Sequence, residues 1–232
     1  RQGLAILARN PEKKIHNAGP TANYEDEKKL AVVPAEKNLA LFLSTHANGV
    51  EMEGQRIAAV LAENIQSGRR LKFRARLVAD CTGDGTIGAL AGADFAYGRE
   101  SQGETQEDAA PEQADELVMG TSVQWYAEEG PDVSPFPACP WGLPLDDKTC
   151  VQTTRGDWDW ETGALRNHIT EIEHIRDYSF RVVFGNWAVL KNHPKFRAQF
   201  ARQRLKWVAY IGGKRESRRL LGDVVLRQQD LV

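Results

Sequence analysis

The run Leu77-Val-Ala-Asp-Cys-Thr-Gly-Asp-Gly85 holds the residue types best placed to meet a ligand. An apolar stretch of strand type ends there in two glycines, which permit a sharp turn at the strand's carboxyl end. Ligands of open α/β sheets lie at that edge. Amides opening the following helix can face a phosphate or a ribose. Cys81, Thr82, Gly83, Asp84 and Gly85 are therefore candidate ligand contacts. An ordinary strand–turn–helix corner carries the same local pattern, so the residues alone leave both readings open.

A second group is cationic. Lys214, Arg215, Arg218 and Arg219 follow closely on Arg202, Arg204 and Lys206. Such a cluster suits a carboxylate or another anion. It equally suits a solvated basic face, or ion pairs with the stretch 102–116, which carries six acidic and no basic residues. On a helix, Arg215 would share a face with Arg218 and Arg219. The run Asp157-Trp-Asp-Trp-Glu-Thr-Gly163 alternates its acids as calcium loops do, but its glycine falls one place late for an EF-hand. His168 also stands where the closing glutamate would be. Trp158 and Trp160 could stack on sugar rings, as in a carbohydrate-binding module, or lie in a core. His46, His168, His174 and His193 lack metal-ligand spacing and read as surface or packing residues, so no metal site is expected. GxSxG, HExxH and Walker patterns are absent.

The elements that must position these residues can be read from periodicity. Tyr24 to Val33 predicts a short helix after loop clusters at 10–14 and 17–20. Leu39 to Thr45, Val50 to Glu53, Arg56 to Ile65 and Leu71 to Ala79 read as strands, with turns at Asn48-Gly49 and Ser67-Gly68. The last of these becomes fully apolar, which predicts a strand buried on both faces. Thr86 to Ala93 reads as a helix with Asp84 as N-cap. Its small residues let a backbone or a ligand approach closely. The acidic stretch 102–116 reads as a solvated boundary. Leu117 to Tyr126 reads as a strand and Gly130 to Pro144 as irregular loop. Ile169, Ile172, Ile175, Val182, Val183 and Trp187 keep helical spacing, and Phe196, Phe200 and Trp207 suggest a second helix.

Composition sets outer limits. The chain has 232 residues, 41% hydrophobic and 27% charged, with a formal net charge of -2. Whole-chain charge gives no case for nucleic acid. No apolar run reaches the roughly 18 residues that span a bilayer. Cys81, Cys139 and Cys150 form no CxxC and argue against a disulfide-stapled domain, though a Cys139–Cys150 pair stays open.

The run Asp80 to Asp94, with Tyr97-Gly-Arg-Glu-Ser101, resembles a segment of a bacterial family of FAD-dependent oxidoreductases. Cys81 replaces the more usual alanine. Asn38 to Val50 with Arg56 to Val60 is similar to that family's strand pair, and Gly213-Lys-Arg-Glu-Ser-Arg-Arg-Leu-Leu-Gly-Asp223 to a later signature. Glu173 to Tyr178 and Gly185-Asn-Trp187 look family-like too. The resemblance implies a glutathione-reductase-like FAD/NAD(P)-binding flavoprotein that binds FAD and a small organic substrate, with hydride transfer as its chemistry. It implies contact with the cofactor by His46, Ala47 and residues Cys81, Thr82, Gly83, Asp84 and Gly85. Arg215 or Arg219 would orient an anionic group or face a reduced flavin, with His168 a distant candidate base. The implied fold is α/β, turning α+β in its second part. A partial Rossmann-like FAD-binding domain at 1–100 would be followed by a substrate or cap domain at 101–212 and a return segment at 213–232. The family's opening GxGxxG turn is missing, as is its C-terminal flavin segment. The expectation is a central fragment, inactive alone, whose partner is the remainder of the flavoprotein. The default location is cytoplasmic. A carbohydrate-binding module, or a structural domain without flavin activity, is the competing reading.

Overall fold

The computed structural model describes residues 25–231. The loop clusters expected at 10–14 and 17–20 lie outside them. In chain order the elements are α1 (Asp26–Ala31), β1 (Thr45–Glu53), β2 (Arg56–Asn64), β3 (Arg70–Phe73), α2 (Thr86–Leu90), β4 (Phe95–Ala96), α3 (Gln102–Thr105), β5 (Trp125–Glu129), β6 (Arg155–Gly156), α4 (Ile172–Asn192), β7 (Gln203–Val208) and β8 (Arg219–Leu220). A single 3-10 turn, Gln228–Asp230, follows. The chain divides into two compact units, residues 25–39 with 119–215 and residues 40–118 with 216–231.

In the unit of residues 40–118 and 216–231, β1, β2 and β3 form an antiparallel sheet in that order. Gly54, at φ +62°, turns β1 into β2. Asn48-Gly49 is not the turn expected of it. It is a bulge inside β1, where the register slips between Ala47 and Gly49, and the bare Gly49 lies against Leu61. The next turn is organised by the Asn64 side chain, whose Oδ1 accepts the amides of Gln66 and Ser67. Leu39 to Ser44 is irregular rather than a strand, because sheet pairing begins only at Thr45.

The strand expected over Leu71 to Ala79 stops at Phe73. Beyond it the chain leaves β2, and Leu77 is 89% exposed. It has no strand neighbour among the described residues, so the apolar run does not become a buried strand. Every strand pairing among the described residues is antiparallel. The architecture is therefore mixed α/β, and among the described residues no two strands pair in parallel as they would in a Rossmann sheet.

The unit of residues 25–39 and 119–215 is built around α4 and the sheet β6-β5-β7. Its core joins Trp125 and Ala127 of β5, Val183, Trp187 and Leu190 of α4, and Phe196 and Phe200. The Trp125 and Trp187 rings meet edge-on at 5.7 Å. The second helix expected from Phe196 to Trp207 does not form. Pro194 follows the end of α4, irregular turns carry Phe196 and Phe200 into the core, and pairing with β5 makes Gln203–Val208 a strand. Lys191, 8% exposed, fastens these turns by donating to the carbonyls of Phe200, Ala201 and Gln203 at 2.8, 3.0 and 2.7 Å. Among the described residues no helix is long and apolar enough to cross a membrane.

Candidate functional site

The loop Asp80–Gly85 is arranged by its first residue. Asp80 Oδ1 accepts the amide and the hydroxyl of Thr82 at 3.0 and 2.7 Å, and its Oδ2 accepts the Gly88 amide at 2.9 Å. The Thr86 amide donates to Thr82 Oγ1 at 2.9 Å. Burial pushes the Asp80 carboxyl upward, but these donors outweigh it and hold the group below the ordinary aspartate range. Gly83 and Gly85 both have positive φ, at +83° and +58°. Such angles favour glycine, because a side chain there crowds the backbone.

Asp84 is not the N-cap of α2. That position is Gly85, and Asp84 instead accepts a hydrogen bond from Ser217. The first amides of α2 are not offered to a phosphate, because Asp80 and Thr82 already take those of Gly88 and Thr86. The close approach that the small residues invited is made by Leu220. Its side chain lies 2.9 Å from where a Cβ on Gly85 would stand and 2.4 Å from that on Gly88.

His46 is exposed and Ala47 half-buried on β1, which packs beside α2. The strand that carries them and the loop 80–85 thus share one unit. Ala47 pairs with Ala62 in β2. Ala62, Asn48, Gly49 and Leu61 line a cavity of about 400 Å³ with Arg70, Leu71 and Lys72. Cys81, Thr82 and Gly83 are exposed at the loop's outer edge.

Residues 214–218 form no helix, so Arg215 and Arg219 share no helix face. Arg215 Nη1 donates to Glu161 at 2.6 Å, and its guanidinium lies 5.4 Å from the Trp158 ring centre. Arg219 Nη2 donates to the Gly98 carbonyl and to Glu100, both at 2.7 Å, while Nη1 donates to Glu216 at 3.1 Å. The bond from Arg219 holds the Glu100 carboxyl below its ordinary range, against burial. These arginines form ion pairs, but with Glu161, Glu100 and Glu216 rather than with the stretch 102–116. In that stretch Asp115 pairs with Arg99, and a capping box of Ser101 and Glu104 starts α3.

His168 is fully buried. Its ring contacts Thr121 Oγ1 at 3.3 Å and the Gly163 carbonyl at 2.9 Å. Trp158 and Trp160 form no joint sugar platform. Trp160 stacks on Trp125 at 5.9 Å beside the core, while Trp158 is exposed under Arg215. Glu161 of the proposed calcium run holds Arg215. Among the described residues no three His, Cys, Asp or Glu side chains are grouped to hold a metal. All three cysteines are free, so the Cys139–Cys150 pair is not formed.

Sequence reasoning does not single out Asp80 or Ser217, and places Arg218 only within the cationic cluster. Asp80 carried a signal: an aspartate two places before a threonine is an Asx-turn pattern. The contacts of Ser217 and Arg218 with Asp84 span over a hundred residues and leave no local mark.

The motifs at 80–85, 95–100 and 216–221 therefore interlock within one mixed α/β unit that also holds the antiparallel β1-β2-β3 sheet. A family model described as FAD dependent oxidoreductase matches residues 25–232, and the chain belongs to that family. That membership supports a function of the FAD-dependent oxidoreductase type in general. Comparison with curated proteins gave no match, nor did comparison with solved structures.

Proposed function

We propose that this protein transfers hydride between a small organic substrate and FAD. In this reading the Cys81–Gly85 loop and the His46–Ala47 strand border the adenosine side of the cofactor. The observation that carries it is the exposed edge Thr82-Gly83 of an otherwise braced loop. A Cβ built on Gly83 meets no atom within 4 Å, so the backbone is open to approach from outside. That edge fits a neutral polar part of the cofactor better than its pyrophosphate, since the helix amides behind it are already satisfied. FAD supplies the redox chemistry when bound, and the protein's part is to hold and shield it. Of the two arginines, Arg215, which donates to Glu161, is the better placed to take an anionic substrate group, whereas Arg219 is committed to Gly98, Glu100 and Glu216.

Titration of the full chain with FAD, followed by flavin fluorescence, tests the reading. Gly83→Asn keeps a residue that tolerates positive φ but adds bulk on the open side. It should weaken FAD binding about tenfold, or about 1.4 kcal/mol, with little change in Tm. A protein that binds no FAD overturns the proposal. Unchanged affinity in the variant moves the cofactor away from this loop.

A further inference from the structure

The Cys81–Gly85 loop is braced from two sides. Asp80 holds it from within, but the bonds it makes end at Thr82 and resume in α2. Between them lie Gly83, Asp84 and Gly85, where two positive-φ glycines flank one residue with a side chain. That residue is held from outside by the segment 216–221. The Ser217 hydroxyl, in a residue only 2% exposed, donates to Asp84 Oδ1 at 2.7 Å. Arg218 Nε donates to the Asp84 carbonyl at 2.9 Å, and its guanidinium rests 5.5 Å from the Phe95 ring centre. The segment itself is fixed by β8 pairing with β4, by Leu220 against Gly85 and Gly88, and by the Leu221 amide on the Asp94 carbonyl.

We propose that Ser217 is a positioning residue for the cofactor. By fixing the carboxylate of Asp84, it sets the direction in which Thr82 and Gly83 face FAD. This rests on the placement of FAD at the loop argued above. The physical reason is the two-glycine hinge. Glycine has the widest backbone freedom, so a loop of this kind presents one edge only if its middle is pinned. Without the pin, the binding-competent loop becomes a fraction of the population, and apparent affinity falls by that fraction. The anchors at Asp80 and Leu220 stay in place, so the loss appears in cofactor binding before it appears in the fold.

The test uses the full chain as wild type, Ser217→Ala, Asp84→Ala, Asp84→Asn and the Ser217→Ala/Asp84→Ala double variant. Two quantities are read: the FAD dissociation constant by flavin fluorescence, and the Tm of the FAD-free protein. Ser217→Ala and Asp84→Ala should each weaken FAD about tenfold. Asp84→Asn retains an oxygen that accepts the Ser217 hydroxyl and should stay within about twofold of wild type. The double variant should bind no more weakly than either single alanine variant. Should Ser217→Ala fail to fold, Arg218→Gln, which frees the Asp84 carbonyl, is read in its place. Wild type that binds FAD beside a Ser217→Ala variant that binds it equally well overturns the positioning role and leaves the FAD site standing. Equal losses in Asp84→Asn and Asp84→Ala overturn it as well, because the charge and not the hydrogen bond would then matter. Wild type that binds no FAD removes both readings together.

Discussion

Gly98→Ala tests how tightly two backbones cross beneath the Gly98-Arg99-Glu100 motif. Gly98 is buried at φ +78°. A Cβ there would stand 2.0 Å from the Asp115 carbonyl oxygen and 2.7 Å from the Glu116 Cα. Neither atom can swing aside. The Asp115 carbonyl accepts the Arg99 amide at 2.8 Å, and the Asp115 amide donates back to Arg99 at 3.0 Å. Left-handed strain costs about 1–2 kcal/mol, and overpacking adds about 1–3 kcal/mol. A stiffer unfolded chain returns at most about 1 kcal/mol. The net destabilisation should be about 1–4 kcal/mol. Gly92→Ala is the matched control. It has φ +80° and no atom within 4 Å of the added Cβ, so it suffers the backbone strain alone. Urea unfolding of both variants should place Gly98→Ala below Gly92→Ala by at least about 1 kcal/mol. Equal midpoints and slopes for the two would refute the close crossing.

Three further outcomes are expected. Asp80→Asn should destabilise by about 1–3 kcal/mol, since an amide cannot accept all the donors that the carboxylate does. Because the folded carboxyl titrates below its unfolded value, its contribution is full above that value and vanishes as pH falls through the folded one. Acid unfolding of wild type and variant should therefore converge at low pH. Lys191→Met should cost about 1–3 kcal/mol by leaving three carbonyls short of a donor. Burial first, and Arg204 second, hold the Lys191 ammonium below its ordinary range, so the folded protein binds fewer protons than the unfolded chain just below pH 10.5. Relative to Lys191→Met, wild-type stability should rise with pH across that window, as measured by urea unfolding. Thiol titration should show fast reaction at Cys81 alone. Cys139 is buried with its thiol pushed up by burial, and Cys150 is half-buried with its thiol pushed up by burial and by Asp147. Saturating FAD should slow the reaction at Cys81, and an unchanged rate would count against a cofactor beside it.

Legibility in the sequence followed the range of the forces involved. The β2 strand, the Ser67-Gly68 turn and helix α4 were all readable, because each depends on neighbours in the chain. The helix pattern of Phe196, Phe200 and Trp207 misled because core burial can be reached without a helix, and because β5 offered Gln203–Val208 a ladder. The strand pattern of Leu71 to Ala79 ends at Phe73 for the converse reason, since an apolar run becomes a strand only beside a partner. At the site, the glycines and Asp84 were visible by type. Their assignments changed because Leu220, Ser217 and Arg218 arrive from more than a hundred residues away. The charged cluster at 214–219 gave its composition away but not its partners, which lie as far off as Glu161 and Glu100.

The segment Gly185-Asn186-Trp187 of α4 bears on the order in which the unit assembles. The bare Gly185 lets Leu143 approach so closely that a Cβ would lie 2.3 Å from its carbonyl oxygen. The Leu143 amide donates to the Arg181 carbonyl, and the Asn186 side chain both accepts from and donates to the Val151 backbone at 2.7 and 3.0 Å. One helix side chain thus does for Val151 what a neighbouring strand would do. A loop whose register is written on a helix cannot find its place before that helix exists. In the transition state for folding, α4 should already be largely formed, giving high φ-values along its buried face. Substitutions in residues 143–151 should instead act mainly on the unfolding rate, so this segment is the last part of the unit to close and the first to open.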